Sequence, residues 1–393
     1  MDRARTNRIK FVIVSTVLIN VIGMGIIIPV LPHYVESFHA SAFAVTLLFG
    51  VFAFCSFLSS PFLGALSDRV GRKPILLVSI SSTAVGWLVF ASAQSLTFLF
   101  IGRIIDGMAA GNISIAQNIL VDITGNPKER THNLGLIGAA FGIGFIVGPL
   151  IGGFLSSFSP VAPFWFAAAL ACVDIIIAFV FLDETHVDVR KKTTLEWNPL
   201  LPLMRAGANR LLLPRFFAWF FFIMAVSSFQ STYALYLDRQ FGIGPLGAGL
   251  LYGIMGVIIA LNQMVALNGF WLKRFKEPDI ELWLVPIIGI FFFLMGMPFV
   301  SLFVLGLTAN GFGQSTLRPV MTSQILGQTA HEAQGEIIGV TSSIQSVAMT
   351  FSPVIAGAVF HLNNSLPLYL SGIYLFTAFV ITYVERRRRR TPV

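Results

Sequence analysis

Two ionisable residues stand inside an otherwise apolar stretch: Arg103 and Asp106, three positions apart in the run from about residue 96 to 121. On a helix that spacing puts both side chains on one face. Burial and a neighbouring cation act in opposite senses on the proton affinity of an acid, so this pair has the makings of a group that takes up and releases a proton near working pH. Asp174, near the middle of the run at 161–182, is the second candidate acid, with Arg103 as the modulator of the first. Arg318 lies inside another run, Asp122 lies at the end of the run that holds Arg103, and Glu336 lies at the end of a further one. Ionisable groups at membrane depth are costly and functional by default. The two cysteines, Cys55 and Cys172, sit within apolar runs and read as packing residues, so neither a disulfide nor a metal site is expected, and no cofactor.

The elements that hold these groups follow from composition. With 55% hydrophobic and 11% charged residues in 393, the chain is far more apolar than a soluble globular protein. Apolar runs predict twelve membrane spans, near residues 9–32, 42–66, 74–94, 96–121, 134–156, 161–182, 213–237, 245–271, 281–299, 302–326, 335–360 and 366–384. The basic N-terminus before the first run resembles a signal peptide, but the run is long enough to cross a bilayer and shows no small-residue cleavage site, so it is read as a retained first span. Of the 26 Lys and Arg, all but Arg103, Arg239 and Arg318 fall in segments that this topology places on the side of the termini. That asymmetry predicts both termini in the cytoplasm. The formal net charge of +8 is scattered at span ends rather than gathered on one domain, which argues against nucleic acid as a partner.

One long polar stretch divides the spans into two sets of six, giving expected domains of 1–182, a cytoplasmic loop 183–212, 213–385, and a basic tail 386–393. The halves echo one another at a fixed offset. Gly148-Pro149-Leu150-Ile151-Gly152-Gly153 returns as Ser352-Pro353-Val354-Ile355-Ala356-Gly357, Gly135 as Gly339, and Asp106-Gly107 as Asn310-Gly311. Repeats of this kind are typical of transporters that bind substrate near the midplane. No G-x-x-x-x-G-K-(S/T) loop exists in the sequence, so ATP is not the expected energy source.

Between the second and third spans lies Gly64-Ala65-Leu66-Ser67-Asp68-Arg69-Val70-Gly71-Arg72-Lys73-Pro74. Gly64 is expected to let a neighbouring helix backbone approach, and Asp68, four residues on, to meet the positive N-terminal end of that neighbour. This turn resembles the G-x-L-(A/S)-D-R-x-G-R-(K/R) signature of the major facilitator superfamily. Three further stretches strengthen the likeness. Gly23-Met24-Gly25 with Pro29-Val30-Leu31-Pro32 is similar to the first span of drug/proton antiporters, especially tetracycline exporters; Arg103 with Gly107 and Gly111 is similar to a fourth-span pattern. Gly138, Gly142, Gly144, Gly148, Pro149, Gly152 and Gly153 are similar to the fifth-span antiporter motif. A glycine-lined helix with a proline can pack closely and bend.

The resemblance implies an all-α membrane protein of the major facilitator fold, with two pseudo-symmetric six-helix bundles. It is not an enzyme but a secondary transporter working by alternating access, expected in the plasma (inner) membrane as a monomer whose partners are a small molecule, protons and lipids. It implies a cytoplasmic gate of Gly64, Asp68, Arg69, Gly71, Arg72 and Lys73, with Asp122 joining Asp68 and Arg72 in a charge network. It also implies a mostly neutral, aromatic-edged cavity supplied by Asn20, Asn112, Gln117, Asn118, Gln230, Tyr233, Tyr236, Asn310, Gln314 and Arg318. Tetracycline exporters carry acids where this chain has Asn20 and, by a gapless count, Gly86. Coupling must therefore move to Asp106 or Asp174, and tetracycline is a doubtful substrate. The expected function is proton-coupled export of amphipathic or drug-like molecules. Its rivals are a facilitator or symporter for a sugar or organic anion, and a non-transporting receptor or scaffold.

Overall fold

A computed structural model describes residues 3–124, 127–185, 200–329 and 334–390. The central segment 186–199, the last three residues, and the side chains of Lys128, Arg130 and Glu336 lie outside the described residues. Every regular element among the described residues is helical: α1 (Arg3–Glu36), α2 (Ala42–Val70), α3 (Arg72–Ala91), α4 (Leu96–Met108), α5 (Asn112–Asp122), α6 (Pro127–Ser156), α7 (Ala162–Phe181), α8 (Leu201–Ala208), α9 (Leu213–Phe241), α10 (Pro245–Leu261), a π-helical stretch Asn262–Trp271 running into α11 (Leu272–Arg274), α12 (Glu277–Met295), α13 (Val300–Leu326), α14 (Gln334–Phe360) and α15 (Leu366–Arg390). In lipid a helix satisfies its own backbone, which is why apolar runs of this length become helices and nothing else.

Eleven helical spans among the described residues are long and apolar enough to cross a membrane, with α4 and α5 counting together. The twelfth expected span is α13, 27 residues long, which Asn310, Gln314, Arg318 and Gln324 make too polar for that criterion. Several of its polar groups are answered within its own half: Gln314 donates to Asn310, Thr316 accepts from Asn262, and Gln324 donates to Glu281.

The chain divides into two compact units, Met1–Ala40 with Val51–Asn198 and Pro245–Gly253, and Ser41–Gly50 with Pro199–Gly244 and Ile254–Val393. Short pieces of α2 and α10 cluster with the unit other than that of the rest of their halves. Part of the expected central loop is helix α8, and the expected basic tail continues α15 as far as Arg390. In the first unit α1 packs on α6 and α7, and α3 on α4 and α7; in the second α9 packs on α14 and α15, and α12 on α13 and α15. The two packing schemes correspond helix for helix, matching the internal echo in the sequence.

Because lipid tails are as apolar as leucine, helices associate in a membrane through close packing rather than through escape from water. The α1–α6 contact depends on this. A Cβ added to Gly148 would lie 2.6 Å from the Ile22 carbonyl oxygen, one on Gly152 2.7 Å from that of Ile26, and one on Gly25 2.9 Å from the ring of Pro149. Gly144 meets Val21 in the same row, while Gly153 turns toward Pro245 and Gly249 of α10. Gly138 and Gly142, by contrast, have no atom within 4 Å of an added Cβ, so they are not packing contacts. Leu at position 148 should separate α1 from α6, cost ~1–3 kcal/mol or more by overpacking and abolish transport, whereas Gly142→Leu should leave melting temperature and transport near wild type. Reconstituted transport and thermal unfolding of both variants check the contrast.

Candidate functional site

The fourth span is not one helix. α4 stops at Met108 and α5 begins at Asn112, because Gly107 is pressed onto α2 and Ala109 leaves helical geometry. A break inside a membrane leaves carbonyl groups that must find donors. Serine hydroxyls supply them: Ser59 donates to the Gly107 carbonyl at 2.8 Å, Ser60 to Ala110 at 3.0 Å, and Ser82 to Ile105 at 2.6 Å. Discontinuous helices of this kind are where transporters place their binding groups.

Arg103 and Asp106 lie just before the break, both buried, with Arg103 Nη1 3.6 Å from Asp106 Oδ2. The guanidinium sits over the rings of Trp87, Phe90 and Phe52, at 4.7, 4.9 and 5.6 Å from their centroids. Aromatic faces stabilise a desolvated cation, yet Nε and Nη2 of Arg103 have no hydrogen-bond partner. Asp106 lies where α3 and α4 come closest: a Cβ on Gly86 would be 2.8 Å from Asp106 Cβ and 2.9 Å from the Gly102 carbonyl oxygen. Gly86, by lacking a side chain, makes room for an acid from α4.

Asp174 is buried on α7 and accepts a 2.7 Å hydrogen bond from the Thr16 hydroxyl of α1. Across the bundle the Asn112 side-chain amide donates to Thr83 Oγ1 at 3.1 Å. Asn20, Asn112, Thr83 and Asp174 line one small cavity with Gly23 and Trp87. Thus two of the expected substrate residues and the second candidate acid converge inside the first unit.

The other expected substrate residues do not join them. Gln117 is exposed, and Asn118 and Gln230 are half-buried. Tyr233 and Tyr236 are fully buried against Phe229, Phe241 and Phe303, so their rings brace the second unit instead of edging a cavity. Asn310 is buried and accepts from Gln314 at 3.0 Å. Arg318 lines a groove of about 650 Å3 with Gln263, Thr322 and Ser323.

At the charged turn, Gly71 caps α3 with φ 113°, a left-handed conformation that favours glycine. Arg72 is buried; its Nε lies 3.0 Å from Asp122 Oδ2 and its Nη1 contacts Asp68 and Ser67. Lys73 donates to the Phe179 carbonyl at 2.8 Å, and Arg69 is half-buried. Gly64 has nothing within 4 Å of an added Cβ, so the close approach expected there is absent, and Asp68 spends its charge on Arg72 one turn along. The carboxylate that does cap a helix is one that the sequence reading missed. Glu184, beyond α7, accepts from the backbone N–H of Arg72 at 3.0 Å and of Lys73 at 3.1 Å. Charge-assisted bonds to the first N–H groups of a helix are strong and are aligned with its dipole. An acid soon after an apolar run, with a Gly-Arg-Lys helix start elsewhere, was the available signal.

A second missed cluster lies in the other unit. Arg215 of α9 contacts Glu281 of α12 at 2.6 Å and Glu385 of α15 at 2.7 Å, all three buried, and Thr382 donates to Glu281 at 2.9 Å. Each partner sits near a helix end, where single charges read as topology signals; only folding brings them together.

A polytopic bundle with a repeated six-helix packing scheme and a broken, charged span is the architecture of a membrane transporter. The profile of the Major Facilitator Superfamily matches residues 13–304, and the chain belongs to that family. It is a transporter of small molecules and not an enzyme. It is 27% identical over 387 residues to Multidrug resistance protein 2 of Bacillus subtilis (strain 168), covering 97% of this chain and 96% of that one. It is also 27% identical over 386 residues to Quinolone resistance protein NorA of Staphylococcus aureus (strain MSSA476), covering 98% of each. The fold is similar to that of a bacterial homolog of the human lysosomal transporter Spinster, solved inward-facing and unoccupied, with TM-score 0.80, 15% identity and 98% of each chain covered. It is similar too to the human organic anion transporter MFSD10 (TETRAN), with TM-score 0.71, 22% identity, 97% of this chain and 100% of that one.

The cap on α3 gives a direct expectation. Glu184→Gln removes the charge at the helix start, an effect worth ~0.3–2 kcal/mol, and Gly71→Ala both strains the backbone and places a Cβ 2.5 Å from Glu184 Oε2. Both should lower the melting temperature and slow transport, Gly71→Ala more so; two variants indistinguishable from wild type would remove the cap from the account. Nearby, the hydrogen bonds from Arg8 and then Arg5 hold the Asp183 carboxyl below the usual carboxylate range. A lowered folded value stabilises above the ordinary aspartate pKa of about 3.9 and is lost as pH falls through the lower one. The melting-temperature difference between wild type and Asp183→Asn should therefore hold from neutral pH into mild acid and vanish in strong acid.

Proposed function

We propose that the protein is a secondary exporter that exchanges protons for small amphipathic or drug-like organic molecules by alternating access. The observation that carries this reading is the Arg103–Asp106 pair, an acid and a cation 3.6 Å apart and both buried in a membrane span. A proton on Asp106 cancels the carboxylate and leaves the guanidinium to the rings of Trp87, Phe90 and Phe52; its loss restores the pair. The two charge states favour different local packings where α3 and α4 meet at Gly86 and Gly102, a contact too tight to deform continuously. The drug-resistance names of the two bacterial relatives support a drug-like substrate.

In this reading both termini, the charged turn and residues 183–212 lie in the cytoplasm of a cell-membrane protein that works as a monomer, as the Lys and Arg distribution supports. Residues 1–182 and 213–385 act as the two bundles. Asp68, Asp122 and Arg72 form the gate on that side, and the basic segment 386–393 meets anionic lipid. The substrate contacts in this reading are Asn20, Asn112, Gln117 and Asn118 of the first unit and Gln230, Gln314 and Arg318 of the second. The two unanswered nitrogens of Arg103 favour a second reading, a symporter or facilitator for an organic anion held by Arg103 and Arg318.

The experiment is transport in proteoliposomes once a substrate is found. A proton gradient should drive uphill transport in wild type, and a protonophore should abolish it. In Asp106→Asn, gradient-driven transport should fall at least ~10-fold, about 1.4 kcal/mol in barrier terms, while exchange without a gradient survives. Persistence of protonophore-sensitive uphill transport in that variant would overturn the assignment to Asp106. Gradient-stimulated uptake of organic anions, lost in Arg103→Gln, would favour the second reading.

A further inference from the structure

Asp106 has Arg103 beside it, but Asp174 has no such partner. It is buried on α7, and among the described residues the group that answers its carboxylate is the neutral Thr16 hydroxyl, which donates to Oδ1 at 2.7 Å. A buried carboxylate is costly unless it is paired with a cation or coordinates a metal ion. The groups around it are of the kind that a cation needs. Asp174 lines a cavity of about 10 Å3 together with Asn20 of α1, Thr83 of α3 and Asn112 of α5. The side-chain carbonyl oxygens of Asn20 and Asn112 are buried and have no hydrogen-bond donor. The Asn112 amide is already spent on Thr83 Oγ1 at 3.1 Å, so the oxygen is the end of that side chain left to be answered. Buried acceptors of this kind are rare and call for a water or an ion.

We propose that this cavity is a binding site for a monovalent metal cation, sodium, held by the Asp174 carboxylate and the side-chain oxygens of Asn20, Asn112 and Thr83. Every ligand is a hard oxygen, which suits a hard ion and not a transition metal; among the described residues no group of three His, Cys, Asp or Glu could hold one. A single carboxylate balances a single positive charge, and a divalent ion would carry unmatched charge into the membrane. The volume has room for one water-sized body. It admits a dehydrated sodium ion and excludes a hydrated ion or an organic ammonium. Once bound, the ion ties α1, α3, α5 and α7 together through one set of contacts. The site stands apart from the proton-coupled reading, which keeps Asp106 as its acid. It takes only the oxygens of Asn20 and Asn112, and leaves the Asn20 amide to a substrate.

Gly23 supplies a way to close the site without touching a ligand. It lines the cavity, and an added Cβ would meet Trp87 at 3.4 Å, ordinary contact distance. Gly23→Ala therefore fits the fold and keeps all four oxygen-bearing side chains while taking the ion's room. Asp174→Asn keeps the shape and removes the charge.

The test is sodium binding to the full-length protein in lipid nanodiscs, followed with radioactive sodium and by thermal unfolding in sodium, potassium and choline chloride at equal ionic strength. Binding should saturate, and sodium well above its Kd should raise the melting temperature by about 2 °C or more over choline, with potassium less effective. Asp174→Asn should lose both signals. Gly23→Ala should lose them too while melting like wild type in choline, and it decides the matter where Asp174→Asn fails to fold. Sodium no better than choline or potassium is the result for a cavity that takes only water, and it would overturn the site. Saturable sodium binding that survives both variants would place the ion elsewhere and overturn it as well. The readout needs neither substrate nor gradient, so the cation site and the proton coupling through Asp106 stand or fall separately.

Discussion

A polar group carried into the membrane is costly unless another part of the chain answers it, and the break between α4 and α5 is where that constraint bites hardest. Stopping a helix in lipid frees carbonyl groups whose isolation would cost several kcal/mol each. The bundle meets the demand with Ser59, Ser60 and Ser82, hydroxyls that are small enough to sit at a close helix contact and to turn toward a neighbour's backbone. With the break satisfied, Asp106 stands at the end of one short helix and Asn112 at the start of the next. The functional geometry of the first unit depends on that interruption.

Close approach is the second requirement, and it is met by omission. Where α1 meets α6 and where α3 meets α4, glycines remove side chains that would otherwise hold backbones apart. The glycine row is selective: Gly144, Gly148 and Gly152 face α1, whereas a Cβ added to Gly138 or Gly142 in the same motif would meet no atom within 4 Å. A face that packs and a face that does not are distinguished by helical phase, which the motif alone does not express.

Charge is handled differently in the two units. The first keeps a loose pair, Arg103 and Asp106, inside an aromatic cage, where nitrogen atoms are left unanswered. The second places Arg215 between Glu281 and Glu385 at short range, with Thr382 and Gln324 completing the contacts of Glu281. Breaking a buried ion cluster at such short range leaves an uncompensated charge and is strongly destabilising, so the second arrangement suits a fixed brace. In the proposed cycle the loose pair is the one that changes partners.

The membrane class, the helical architecture, the repeat of the two halves and the place of Arg103, Asp106 and Asp174 inside spans were all legible in the sequence. Hydropathy, internal offset and a charge in an apolar run are local properties, and lipid allows few structures that satisfy them. The family signature could be read in the same way. Gly64 and Asp68 show the limit, since the turn's motif does not say which neighbour will be near; here Asp68 turns to Arg72 and the helix start is capped by Glu184, more than a hundred residues away. Tyr233 and Tyr236 look like cavity residues by type and become packing because Phe229 and Phe303 close around them. The serine bridges, the Arg215 cluster and the cavity joining Asp174 to Thr83 all draw partners from separate helices. Only tertiary structure decides such contacts, because helical phase and interhelix register, rather than residue type, determine which side chains face one another.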